Sequence, residues 1–383
     1  MPGSSISNVG RSPIAKSARR LAVAALLPSA VATAQGQAQK RPVVELQQDL
    51  VLGDATGATF GELSRLGVSS RGTIYVGDWA NASVFIFSAS GAALGTIGRR
   101  GRGPGEFTAV HDLIVGRGDS LYLFDANAMR LSVFGGTDVA RKLAYSVMPE
   151  TGEFGRPFRI LIPNESRAAP LFVFRDAATS TIAVHSVRPG GAVESRPVLR
   201  GVAAESRVNY RTGDGGAEIV RTSPLFGRGP VVGITGRDEV YYGWTEKVDL
   251  TFVDLTGKQQ SIFRAESRAI PVESRDVEHA LRGASEARRR ALAQAMHPKT
   301  KPAMHTVLFD DESRIWTGRY TSDPDRHEWW VTFDHGRGET AIVSLPSSVE
   351  LQVVRQGYAY AASVDADGAP TVIRYRITVH PRR

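Results

Sequence analysis

The chain has 383 residues, 42% of them hydrophobic and 22% charged, with a formal net charge of +8 and no cysteine. This is the balance of an ordinary globular chain with enough apolar material for a large core. It excludes disulfides, thiolate metal sites, a cysteine nucleophile and a cysteine-linked lipid anchor.

The first element in chain order is a targeting segment. Arg11, Lys16, Arg19 and Arg20 stand without any acidic residue ahead of the apolar, alanine-rich run Leu21–Ala34, which ends in Ala32-Thr33-Ala34. A basic region, a short apolar stretch and an A-x-A site make a secretory signal peptide. Residues 1–34 are therefore expected to be removed, with export to the periplasm or the medium and a mature chain beginning near Gln35. The run is short and interrupted by Pro28, so no membrane span is expected in the mature chain. Removing those four basic residues lowers the net charge from +8 to +4. The remaining clusters, Arg99-Arg100-Gly101-Arg102 and Arg288-Arg289-Arg290, do not form the stripe that nucleic-acid binding needs.

The body of the chain repeats itself. Thr73-Ile74-Tyr75-Val76-Gly77-Asp78 recurs 47 residues on as Ser120-Leu121-Tyr122-Leu123-Phe124-Asp125, and Phe60 recurs as Phe107. Repeats of this length built from short strands predict propeller blades. The first unit runs from about Phe60 to Gly98 and the second from Phe107 to Met148. A degenerate third covers about Arg156 to Arg200. Shifting the second unit by 119 gives a fourth, with Glu239–Trp244 and Val248–Val253 as strands. Shifting it by 194 gives a fifth around Ile315-Trp316 and Trp329–Phe333. The sixth has three strands of its own: Val349–Val354, Tyr358–Ser363 and Thr371–Val379. The spare strand Val43–Leu52 is expected to complete it and close the ring, which removes the open edge of a linear array. The predicted fold class is all-β: a six-bladed β-propeller of four-stranded antiparallel blades, one domain over 35–383. Ser274–His297 reads as a helix ended by Pro298. It forms a helical insertion, about 272–298, between blades 4 and 5. Gly201–Gly229 reads as an irregular loop.

Gly101-Arg102-Gly103-Pro104-Gly105-Glu106-Phe107, followed by Leu121-Tyr122-Leu123-Phe124-Asp125 with Asn127, and Ile74-Tyr75-Val76-Gly77-Asp78 with Asn81, resemble NHL-type repeats. The likeness covers about Phe60–Phe134. It implies an exported bacterial six-bladed propeller related to NHL proteins, most of which carry no assigned chemistry.

Propellers gather ligands where the inner strands converge. The shifts place Ser64, His111, Pro230, His305 and Ser348 in one column, and Arg65 and Asp112 in the next. Arg65, His111, Asp112 and His305 are therefore the candidate ligand-binding residues at the channel mouth. Two histidines in equivalent places suit a metal or an anion, but no third ligand is legible. No G-x-S-x-G elbow, P-loop or H-E-x-x-H occurs. Asp310-Asp311-Glu312 reads as a solvated turn and Asp365-Ala366-Asp367-Gly368 as a hairpin turn. The reading favoured by these residues is an exported, non-catalytic propeller that binds a protein or small-molecule ligand, acts as a monomer and needs no cofactor. The alternative is a metal-assisted hydrolase or lyase holding a divalent metal at the channel mouth.

Overall fold

The structure is a computed structural model that describes residues 42–380, apart from 138–139, 177, 204–207, 213–217, 223 and 283; for 55, 208–212 and 218–222 only the backbone is described. Lys40–Arg383 form one compact unit. The expected signal segment lies outside the described residues.

Among the described residues, six four-stranded antiparallel sheets follow one another along the chain. Blade 1 spans Leu63–Val68, Ile74–Asp78, Ser83–Phe87 and Ala93–Ile97; blade 2, Asp112–Val115, Leu121–Asp125, Arg130–Gly135 and Lys142–Val147. Blade 3 spans Arg156–Leu161, Leu171–Asp176, Thr181–Ser186 and Leu199–Val202; blade 4, Pro230–Ile234, Val240–Trp244, Val248–Val253 and Gln259–Ala265. Blade 5 spans Thr306–Phe309, Ile315–Tyr320, Arg326–Thr332 and Thr340–Pro346. Blade 6 takes Glu350–Arg355, Tyr358–Val364 and Pro370–His380 from the C-terminal end, and Val43–Leu52 from the N-terminal end as its outer strand. That strand pairs antiparallel with Pro370–His380 from Val43 opposite His380 to Leu52 opposite Val372.

The period-2 alternation of strand side chains sends apolar residues of the middle strands to both faces of each blade. In blade 1, Ile74 and Val76 pack toward blade 6, beside Tyr360 and Val372. Tyr75, between them, packs toward blade 2 beside Leu121 and Leu123. Both faces of each sheet are covered by a neighbour, as in a buried parallel sheet although the pairing here is antiparallel. The buried clusters accordingly lie between blades 1 and 2, 2 and 3, 3 and 4, 4 and 5, 5 and 6, and 6 and 1. Trp316 and Trp329 are fully buried between blades 5 and 6, and each such large side chain contributes roughly 1.5–3 kcal/mol or more by burial.

Three expectations are corrected. The insertion is two short helices, α1 (Ser274–Ala280) and α2 (Glu286–Gln294). The break falls where Ser285 turns out of the helix and caps α2, its hydroxyl accepting from the Arg288 N–H. The inward residue of α1 is Asp276 rather than an apolar stripe. The 201–229 segment contains a two-stranded hairpin, Val208–Thr212 with Glu218–Thr222. Finally, Asp310 is buried rather than solvated: it accepts from Arg314 Nε (2.6 Å) and Trp316 Nε1 (2.8 Å), and so fixes the first turn of blade 5.

Candidate functional site

Each inner strand begins at one face of the ring, and antiparallel pairing returns the second strand to that face. The insertion between blades 4 and 5, the 320–326 turn of blade 5 and the 346–349 link to blade 6 therefore share this face with the starts of the inner strands.

The inner strands of all six blades line one central cavity of about 480 Å³. Arg65, Asp112 and His305 line it and His111 does not. Arg65 Nε lies 3.5 Å from Asp112 Oδ1, and Asp112 Oδ2 accepts from the Ile160 N–H of blade 3. Two further channel arginines are tied to backbone: Arg159 donates to the Val232 carbonyl, and Arg355 to that of Val68. These bonds lace neighbouring inner strands together.

His111 and His305 do hold equivalent backbone positions, each N–H donating at 2.9 Å to a second-strand carbonyl, Phe124 and Gly318 respectively. Their side chains diverge. His111 Nδ1 accepts from the Ala126 N–H (3.1 Å), with Asp125 3.8 Å away and Trp79 edge-on. Burial lowers its pKa despite the Asp125 carboxylate. His305 packs instead against His327 (4.7 Å between centroids) and Tyr320, with Trp329 edge-on. Burial, then the neighbouring His327, depresses its pKa to about 3. Gly318 makes room for this ring, since a Cβ there would meet His305 Cε1 at 2.6 Å. Among the described residues no three His, Asp or Glu side chains converge in a metal-holding set.

The acid of the repeat motif has a different task. Asp125, fully buried, accepts from the N–H groups of Thr108, Asn127 and Ala128 and from the Thr108 hydroxyl. Asp78 does the same for Gly61, Glu62 and Asn81. Each carboxylate fastens the chain entering a blade to that blade's second turn. Burial pushes the Asp125 carboxyl up, but these donors hold it below its ordinary pKa.

A cleft of about 250 Å³ opens between α1 and blade 5. Leu225, Phe226, Ala280 and Pro324 give it an apolar lip, and Tyr320, His327, His279 and Ser347 give it polar walls. At its base Lys301 and Asp276, both buried, pair at 2.6 Å, and Lys301 also donates to the Thr321 carbonyl. Such a pair is costly to break because either partner alone is a buried charge. It pins α1 to blade 5. Burial, then the neighbouring His279 and Lys301, lowers the pKa of His327 to about 4, so its imidazole faces the cleft neutral at pH 7. His279 sits between blade turns, Nε2 at 3.1 Å from Ser347 Oγ and Nδ1 at 3.0 Å from Asp325 Oδ1.

Residues 56–140 match the family DUF5128, described as a 6-bladed β-propeller. A protein of Bacteroides fragilis NCTC 9343 named as exported superposes with a TM-score of 0.53 at 12% identity, over 88% of this chain and 96% of its own. The chain is a six-bladed β-propeller. A DUF4221-family member of Bacteroides vulgatus follows (TM-score 0.49, 11% identity, 89% of this chain and 99% of that one). So does the virginiamycin B lyase of Staphylococcus aureus (0.46, 10%, 87% and 99%). Identities this low concern the path of the chain alone. No curated protein matches the sequence.

Sequence reasoning reached the propeller's channel and missed its cleft. The cleft residues come from the segment ahead of blade 4 (Leu225 and Phe226), from the insertion, from the second turn of blade 5 with its flanking strand ends, and from the link to blade 6, so no repeat offset relates them to one another. The one available signal was Asp276 three residues after Glu273, a helix-start pattern whose acid turns out to serve Lys301 as well as the Glu273 N–H.

Proposed function

We propose that this is an exported binding propeller of NHL-like ancestry, cleaved after residue 34, whose ligand site is the cleft beneath α1. The channel is non-catalytic in this reading: Arg65, Asp112, Arg159 and Arg355 are spent on joining blades. No helix among the described residues is long and apolar enough to cross a membrane; export and action as a monomer belong to the same proposal.

The observation that carries the cleft is its composition. Its charged lining residues are engaged within the protein, Lys301 with Asp276, Arg326 with Ser344 and Asp323 with the Asp325 N–H, so the apolar side chains, a neutral imidazole and a hydroxyl are left to meet a small uncharged amphipathic ligand. Titrating the isotope-labelled mature chain with acetanilide tests this by NMR. Shifts are expected at Phe226, Ala280, His327 and Ser347, and are expected to vanish in Ala280→Trp, whose side chain fills the cleft. Shifts confined to the channel strands would refute the assignment. Export is tested separately by mass spectrometry of the chain from a native host: a start at Gln35 supports it, and an intact Met1 in the cytoplasm overturns it.

For the metal-dependent alternative at the channel mouth, Arg65 pairs with Asp112 and His305 lines the same cavity, whereas His111 does not line it and no set of three His, Asp or Glu ligands forms among the described residues.

A further inference from the structure

Three side chains around the cleft are placed in an order that binding alone does not require. Ser347 lies in the link between blades 5 and 6, His279 in the last turn of α1, and Asp325 in the second turn of blade 5. Ser347 Oγ is 3.1 Å from His279 Nε2, and the opposite ring nitrogen, Nδ1, is 3.0 Å from Asp325 Oδ1. The elements are held in register: the Ser347 N–H donates to the Asp325 carbonyl at 2.9 Å, and Arg282, just past α1, donates to Asp325 Oδ1 at 3.2 Å. A hydroxyl, a base within hydrogen-bond reach and a carboxylate behind the base are the three parts of an activated serine. The Nδ1–Asp325 contact is close but not a hydrogen bond, and contacts of this kind commonly tighten only once substrate is bound.

We propose that Ser347, His279 and Asp325 form a serine nucleophile relay that cleaves small uncharged carboxylic esters bound in the cleft. This rests on the cleft being the ligand site. Ser347 Oγ attacks the ester carbonyl carbon while its proton passes to His279 Nε2. The bond to the leaving oxygen breaks, and that oxygen takes the proton from Nε2 and departs as the alcohol. The acyl group is left on Ser347 Oγ as a new ester. Water then attacks the acyl carbon, giving its proton to Nε2, and the acid leaves as Ser347 Oγ recovers that proton. Asp325 stabilises the imidazolium that exists between the transfers and orients the ring. The acyl group rests against Phe226, Ala280 and Pro324, and their apolar surface selects short hydrocarbon chains.

The two contacts of His279 also fasten α1 to the second turn of blade 5 and to the link after it. That mechanical role needs no reactivity at Oγ, and a covalent readout separates the two. The mature chain is treated with an alkyl fluorophosphonate and mapped by peptide mass spectrometry, and p-nitrophenyl acetate turnover is followed alongside. A single adduct on Ser347 is expected, with hydrolysis above buffer. Both are lost in Ser347→Ala, whose melting temperature stays within about 2 °C of wild type because the replaced hydroxyl is only half-buried. Asp325→Asn should keep the adduct site but slow turnover by about 100-fold or more. Absence of a Ser347 adduct, or equal hydrolysis by wild type and Ser347→Ala, overturns the relay. If acetanilide still shifts the cleft resonances in that case, the binding site survives and only the chemistry falls; if it shifts nothing there, both fall.

Discussion

Blades 2 and 5 share a plan and use the same position for opposite ends. At the end of its second strand blade 2 has Asp125, a buried carboxylate that collects backbone N–H groups from the entering chain. The residue at that place in blade 5 is Arg319, following Gly318 as Asp125 follows Phe124. Its guanidinium stacks on Trp330, 3.8 Å from the ring centroid, and donates to the carbonyl of Glu266, the first residue of the insertion. An acceptor that seals a tight link has been exchanged for a donor that anchors a long excursion. The lesson is that equivalent positions conserve the need to fasten the incoming chain, while the polarity of the fastener follows what the chain does there. Chemistry then gathers at the excursion: the cleft beside blade 5 contains His279, His327, Lys301 and Ser347, while in blade 2 His111 meets mainly a backbone N–H and an indole edge.

The harshest way to break the comparison is Asp125→Ala. It strands several buried donors at once, so about 3 kcal/mol of stability should be lost in urea unfolding. A loss under about 1 kcal/mol would mean that the carboxylate is not the fastener of blade 2.

The strand count, the closure by Val43–Leu52 and the place of the insertion were legible because they follow from periodicity and from the need to cover sheet faces and edges, which every residue of a strand reports. Leu121 and Leu123 facing one blade and Phe124 the next is that signal in small. The column of inner-strand starts was also legible at the backbone, as the matched N–H bonds of His111 and His305 show. What a column cannot carry is side-chain direction. One ring turns toward Ala126 and the other into an aromatic nest, a choice made by Gly318, whose missing Cβ leaves the space. The pairings Lys301–Asp276 and Ser347–His279 join segments of unlike structure at separations of 25 and 68 residues, and no local pattern announces such a meeting.

A second, smaller effect sharpens the contrast between the two histidines. His305 faces His327, Tyr320 and Trp329, and burial holds it near pKa 3, with His327 near 4. Both stay neutral in the folded chain below pH 6.5, where the unfolded chain takes up protons. The unfolded state therefore binds more protons as pH falls, and stability contributed by these rings is complete above about pH 6.5 and declines toward pH 4 and below. In His305→Phe, thermal unfolding between pH 6.5 and 4.5 should lose part of that slope, on the order of 1–2 kcal/mol at the acid end. His111→Gln should flatten it less, since a nearby carboxylate opposes the burial effect there. Identical acid limbs for wild type and His305→Phe would remove the buried ring from the account.

The gentlest change tests whether blade 5's fastener acts locally. Arg319→Ala removes a hydrogen bond to one carbonyl and a stacked guanidinium, worth about 1 kcal/mol globally. The ring does not depend on it, because the core between blades 5 and 6 is built from Trp316, Trp329, Leu351 and their neighbours. The insertion does depend on it, since Glu266 is where the chain leaves blade 4. Hydrogen exchange should therefore quicken over 266–303 while the strands of blades 1 and 2 keep their protection, the expected pattern when one cooperative unit loosens without the whole. Uniform quickening around the ring would show instead that the insertion is part of the propeller's own stability, and blades 2 and 5 would then differ in wording but not in kind.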